Sequence, residues 1–290
     1  MKIALLPNLT RDNEGMITKE ICSWLRQYGA EYACQEEDRE TFRDVEGLGS
    51  YAFEDLIPWC DAIITVGGDG SMLRAAKMTV RYGKPLLCIN AGRLAFMAGL
   101  ESDELHLLKR LIDGEYWLDP RMLLHVELRR NGRVIQEADI INDVVVARGS
   151  KLKIVDLNVF CDERLINTYR ADGVVVSTPT GSSAYCLAAG GPVLNPSMQG
   201  IVVTPICPQS LFARSIVFSS DNVLAVSLDP DSRCKDVILS LDGGESLKVM
   251  EGDIITITRS DCEAQFIRIK NDPFFEILNR KLAGTEASRS

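Results

Sequence analysis

The chain has 290 residues, 46% hydrophobic and 25% charged, with a net charge of −9. That length allows two domains with substantial cores, and the acidic balance argues against a nucleic-acid or anionic-membrane surface. No apolar run reaches the 18 or more residues of a membrane span, and no signal-peptide pattern precedes the first strand.

Residues 2–7 read as a short apolar strand. A helix is expected over 15–28, with Ile17, Ile21, Trp24, Leu25 and Tyr28 on one face and Gly29 as its stop. A strand over 31–35 leads into the charged run 36–46, most simply a solvated loop or helix face. Residues 62–66 are a third strand, which runs into the turn Gly67-Gly68-Asp69-Gly70 and a helix over 71–82 with Leu73, Ala76, Lys77 and Val80 at helical spacing. A strand over 85–90 and a helix over 103–113, with Ser102 as N-cap and Gly114 as stop, close this half. Strands alternating with helices imply a doubly wound parallel sheet, whose ligands bind beyond the carboxyl ends of the strands.

From Trp117 the period changes to two. Leu124, Val126 and Leu128 alternate with His125, Glu127 and Arg129, and Asn131-Gly132 is a hairpin turn. Strands are expected over 140–147, 154–161, 173–177, 201–205, 223–228, 237–241, 246–250, 253–258 and 265–269, which suggests an antiparallel β-sandwich. The fold class is therefore α/β plus all-β. Residues 1–115 form the α/β nucleotide- and phosphate-binding domain and 116–271 the sandwich. The tail, about 272–290 with Phe274, Phe275, Ile277 and Leu278, is expected to pack back on the first domain. The nine cysteines stand singly, without a C-x-x-C pair, which fits buried thiols in a reducing, cytoplasmic setting. His106 and His125 are the only histidines and read as surface residues, so carboxylates must do any acid–base work.

Three glycines at a strand-to-helix turn let a phosphate approach open amides at the positive end of a helix. No Lys follows them, so this is not a P-loop. Asp69 sits where the phosphate should lie, and an acid there either accompanies Mg²⁺ or takes a proton from an attacking hydroxyl; a plain helix cap is the simpler alternative. In the second half, the strand ending at Ser177 meets a run of hydroxyl residues, Pro and Gly, with a small-residue helix expected from 182–184. That stretch is either a polar cradle for sugar or phosphate, with Tyr185 offering a face to a base, or a close-packed helix cap.

Gly67-Gly68-Asp69-Gly70, Asn142-Asp143-Val144-Val145-Val146 and the stretch from Asp172 through Tyr185 to Gly190-Gly191-Pro192, in this order and spacing, resemble the NAD kinase family. The resemblance implies transfer of the terminal phosphoryl group of ATP, with Mg²⁺ carried by ATP, to the 2′-hydroxyl of the adenosine ribose of NAD. Asp69 matches the family's catalytic acid, and Gly68 and Gly70 let phosphate approach. Asn142 and Asp143 match the pair that grips the dinucleotide. Lys153 and Arg170 match ligand-touching positions, and Asp172 matches the acid at the nicotinamide end. Thr180, Ser183, Ala184, Tyr185 and Ala188 match the adenosine cradle. The resemblance also implies a dimer or tetramer. Alternatives are a degenerate NAD(P) sensor, or a lipid or sugar kinase of the same superfamily. Four positions depart from the family pattern: Ala95 for Gly, Gln209 for the frequent His, Ala213 for Asn and Gly244 for Gln.

Overall fold

A computed structural model describes residues 1–92, 95–270 and 274–282. Two compact units emerge, Met1–Pro120 with Ala264–Ser290, and Arg121–Glu263.

The first unit runs β1 (Lys2–Pro7), α1 (Met16–Gln27), β2 (Glu31–Gln35), β3 (Gly49–Tyr51), α2 (Phe53–Trp59), β4 (Ala62–Gly67), α3 (Asp69–Thr79), β5 (Leu86–Asn90), β6 (Leu100–Glu101) and α4 (Leu108–Ile112). Its sheet is parallel in the order β3-β2-β1-β4-β5. The central strands β1, β4 and β5 are buried on both faces, so they read as continuous apolar runs rather than alternating ones. One core joins Ile3, Leu5, Ile64 and Val66 with Ile21, Cys22 and Leu25 of α1 and Leu108 and Leu111 of α4. Leu56 and Ile57 of α2, and Met72, Ala75 and Ala76 of α3, are buried outside that cluster. Strand order reverses between β1 and β4, and there the carboxyl-end crevice of a doubly wound sheet opens.

The second unit begins within β7 (Trp117–Arg130) and continues through β8 (Arg133–Ile140), β9 (Asp143–Arg148), β10 (Val155–Cys161), β11 (Arg164–Ala171), β12 (Gly173–Ser177), α5 (Tyr185–Ala188), β13 (Gly200–Ile206), β14 (Ile216–Ser219), β15 (Leu224–Leu228), β16 (Val237–Leu241) and β17 (Leu247–Val249). The last strand, β18 (Ile254–Arg268), begins in this unit and ends in the first, where α6 (Phe274–Leu282) follows. One antiparallel sheet has the order β14-β13-β12-β9-β16-β17, and β11-β10-β15-β18 form the other, with the β7–β8 hairpin paired to β18. Alternate residues of both sheets (Val144, Val174, Val203 and Leu239; Val126, Leu157, Val226 and Ile255) share one core, the pattern of a sandwich.

Several elements differ from expectation. Helix α3 begins at Asp69, two residues early, and buries Met72, Ala75, Ala76 and Thr79 rather than the Leu73 face. Met72 and Leu73 are adjacent, so either stripe could have faced the sheet. The helix expected over 103–113 is a 3₁₀ turn, Leu105–Leu107, followed by the short α4, and no side chain caps either start, so Ser102 is not the cap. The strand expected over 140–147 breaks at Ile141 and Asn142. The two strands expected over 253–269 are one, β18, because solvent-facing Arg259 and Asp261 suit an alternating strand. The charged run 36–46 hides Phe42, fully buried against α1. The tail's Phe274 is buried and contacts Phe96; Pro273 and the residues after 282 lie outside the described residues.

Candidate active site

In the first unit the residues of the glycine turn play unequal parts. Gly67 has φ 155°, and a Cβ there would meet the Ser71 side chain at 2.6 Å, so only glycine fits. Gly68 is the extended N-cap of α3, and Asp69 is its first residue. A Cβ at Gly68 or Gly70 would meet nothing within 4 Å. The first amides of α3 have no intrahelical acceptor, so the turn presents N–H donors and open space at a positive helix end. Asp69 is half-buried and its Oδ1 accepts the Met97 N–H at 3.0 Å.

Two asparagines flank the turn. Asn8, at the end of β1, donates to Ser71 Oγ at 2.8 Å. Asn90, at the end of β5, is buried; its Oδ1 accepts the Gly92 N–H at 3.2 Å and its Nδ2 donates to Glu101 at 2.8 Å. Ala95 is buried, while the preceding Arg93 and Leu94 lie outside the described residues.

The second unit assembles its cluster around the break after β8. Asp242, in the left-handed region at φ 50°, turns its carboxylate onto that break. Oδ1 accepts the N–H groups of Asn142 at 2.8 Å and Asp143 at 3.0 Å, and Oδ2 accepts that of Ile141 at 3.1 Å. The Thr178 N–H donates to the Asn142 carbonyl at 2.9 Å, which ties the hydroxyl-rich turn after β12 to the same loop. Gly181 runs so close that a Cβ would fall 2.0 Å from the Asn142 carbonyl oxygen. Asn142, Asp143, Thr180 and Tyr185 are thereby drawn together. The Asp143 carboxyl accepts the Tyr185 backbone N–H, which pulls its pKa down, but burial first and the Asp242 carboxylate second push it up to about 6. Thr180 is buried and its Oγ1 accepts from Arg121 Nη1 at 3.4 Å; Ser183 Oγ donates to the Thr180 carbonyl.

The small-residue helix is shorter than expected. A 3₁₀ turn, Gly181–Ser183, is followed by α5 with four residues, because Ala184 interrupts at ψ −122° and Gly190 turns the chain at φ 85°. The hydroxyls and amides of this stretch are therefore presented by short turns rather than by a long helix. Tyr185 is 44% exposed, with its ring available to a ligand, and Ala188 is exposed. Asp172 pairs with Arg148 Nε at 2.8 Å. Lys153 and Arg170 are exposed side chains, and Arg170 lies 3.9 Å from Asp156 across the β10–β11 ladder. Gln209 is exposed, Ala213 packs against the sandwich core, and the Gly244 N–H donates to the Leu241 carbonyl.

Sequence reasoning overlooked Asn8, Arg121, Arg148 and Asp242. The only signal available for Asn8 was its place directly after a strand. Among the described residues one group could hold a metal ion, His125, Glu127 and Glu137 on the β7–β8 hairpin. Two of its members already have other partners: His125 Nδ1 lies 3.2 Å from Asp139, and Arg129 pairs with Glu127 at 2.6 Å. His125 is thus half-buried rather than a plain surface residue.

The chain matches two family models, the ATP-NAD kinase N-terminal domain over residues 17–116 and the ATP-NAD kinase C-terminal domain over residues 141–269. It is 33% identical over 284 residues to the NAD kinase of Thermoanaerobacter pseudethanolicus, covering 97% of this chain and 98% of that one. It is 40% identical over 226 residues to the NAD kinase of Symbiobacterium thermophilum, covering 78% and 79%. Among solved structures, yeast NADH kinase complexed with NADH superposes with a TM-score of 0.87 at 23% identity, covering 100% of this chain and 89% of that one, a likeness of fold. Matched in both halves and along nearly its whole length, the chain belongs to the NAD kinase family.

Proposed function

We propose that Asp69 is the proton acceptor in the reaction of this NAD kinase, the transfer of the terminal phosphoryl group of ATP to the 2′-hydroxyl of the adenosine ribose of NAD. The observation that carries the assignment is the placing of Asp69 at the first position of α3, beside two glycines with open space, with one carboxylate oxygen held by the Met97 amide. The α3 amides receive ATP phosphate oxygens, and Gly68 and Gly70 let them come close. The Asp69 carboxylate then removes the proton of the attacking hydroxyl, a contribution of about 10²–10⁴-fold.

The first unit acts as the phosphate-binding domain and the second as the dinucleotide-binding domain. Asn142 donates and accepts, and the ionised Asp143 accepts, hydrogen bonds at the ribose. Thr180, Ser183, Ala184, Tyr185 and Ala188 surround the adenosine, with the Tyr185 ring stacking on a base. Asp172, held by Arg148, meets the nicotinamide end, and Lys153 and Arg170 supply positive charge toward phosphate. Mg²⁺ would be carried by the ATP phosphates beside the Asp69 carboxylate rather than held by it, since that carboxylate is committed to the Met97 amide and the attacking hydroxyl. The ion supplies charge neutralisation on the phosphates. The enzyme makes NADP in the cytoplasm as a homo-oligomer, a dimer or tetramer. No helix among the described residues is long and apolar enough to cross a membrane.

Asp69→Asn tests the assignment. Turnover should fall by about 10²–10⁴-fold while the calorimetric affinity for NAD stays within about threefold of wild type. Unchanged turnover would remove Asp69 from the chemistry, and lost NAD binding would make it a binding residue instead.

A further inference from the structure

Met97, whose amide holds Asp69, lies in an irregular stretch after β5, where no ladder or helix fixes its backbone. What fixes it comes from the far end of the chain. Arg268, the last residue of β18, is nearly buried, with its side chain 4% exposed. Its Nη1 donates to two successive carbonyls, Met97 at 3.2 Å and Ala98 at 2.7 Å, while its Nε donates to Asp119 at 2.9 Å. The next residue, Gly99, donates its N–H to the Cys88 carbonyl at 2.8 Å, and a Cβ there would press on Leu87 at 2.8 Å and the Ile267 carbonyl at 2.9 Å. The stretch is therefore anchored immediately after the residue that contacts the carboxylate.

We propose that Arg268 is a positioning residue for phosphoryl transfer: its guanidinium clamps the Met97 and Ala98 carbonyls and so holds the Met97 amide against the Asp69 carboxylate. The inference rests on the reading of Asp69 as proton acceptor and adds the device that orients it. A buried cation is a costly way to satisfy two carbonyls, and an apolar residue could fill the same space. What the planar guanidinium adds is a rigid set of donors that fixes two adjacent peptides and pairs with Asp119 at once, which an ammonium cannot reproduce. Anchoring Oδ1 of Asp69 sets the plane of the carboxylate, and with it the direction in which its other oxygen meets the attacking hydroxyl. Small misplacements of such a group cost turnover rather than binding.

The test compares Arg268→Lys, which keeps the charge facing Asp119 but lacks the fork, in wild-type and Asp69→Asn backgrounds, with full steady-state kinetics in ATP, Mg²⁺ and NAD. A second variant, Arg268→Gln with Asp119→Asn, removes both charges of this pair together and serves if the lysine variant melts below the assay temperature. The proposal expects kcat to fall about 10–10²-fold with KM for NAD and ATP within about twofold. In the Asp69→Asn background the same change should alter kcat by less than about twofold, because the group it orients no longer accepts a proton. An equal loss in both backgrounds, a loss confined to KM, an unchanged kcat, or failure of both variants to fold would overturn it. If Asp69→Asn alone keeps full turnover, the reading of Asp69 fails first, and that result is visible before Arg268 is touched.

Discussion

Replacing Asp143 by Asn should make the protein more stable and a worse enzyme. The Asp143 side chain is buried beside Asp242, and its carboxyl is pushed from 3.8 up to about 6. A group that holds its proton more tightly when folded contributes stability fully below pH 3.8, and that contribution disappears as pH rises through about 6. At 1.36 kcal/mol per pH unit, the interval amounts to about 3 kcal/mol of stability absent at pH 7.5. Asparagine has no proton to lose and can still accept the Tyr185 N–H. The variant should thus exceed wild type by up to about 3 kcal/mol at pH 7.5, and by less than about 1 kcal/mol at pH 4. Urea unfolding of both proteins at the two pH values reads the difference for the Asp143–Asp242 pair, since titrating groups away from it cancel. In the same variant KM for NAD should rise roughly 10–10²-fold, the worth of a charged hydrogen bond. Equal stabilities at pH 7.5, or a gap that does not shrink in acid, would refute the claim that burial and Asp242 strain this carboxylate.

The two glycines of the turn should separate structure from binding. Gly67→Ala, at φ 155° and 2.6 Å from Ser71, should cost roughly 2–4 kcal/mol in a thermal melt. Gly68→Ala, facing open space, should melt like wild type but raise KM for ATP roughly tenfold or more, seen in initial rates. Asp242→Ala strips the acceptor from three amides at the β8–β9 break, and should destabilise by about 3 kcal/mol in denaturant while weakening NAD binding measured by calorimetry.

The part of the candidate site built from neighbours in sequence was legible as local structure. The strand into Gly67-Gly68-Asp69-Gly70 and the hydroxyl run after Ser177 advertise themselves through local backbone demands and small side chains. The break at Ile141 and Asn142 did not, because the polar pair Asn142-Asp143 lies between Ile140-Ile141 and Val144-Val145-Val146, and a continuous strand accommodates two polar positions. What stops the strand there is the Asp242 carboxylate, about a hundred residues away, which takes the amides the ladder would have used. Arg268 was hidden for a related reason: a cation near the end of an alternating strand reads as solvent-facing until its two carbonyl partners are known. Helix α2 escaped because it is short and contains Pro58, and β3 because three residues carry no periodicity.

The most direct test of the central claim is a coupled assay of the purified chain with ATP, Mg²⁺ and NAD, in which an NADP-specific dehydrogenase reports the product. Steady NADP formation that requires all three and falls by at least about 10²-fold in Asp69→Asn is the predicted result. NADP formation undiminished in Asp69→Asn would contradict the account, as would an absence of NADP from a chain that binds both nucleotides.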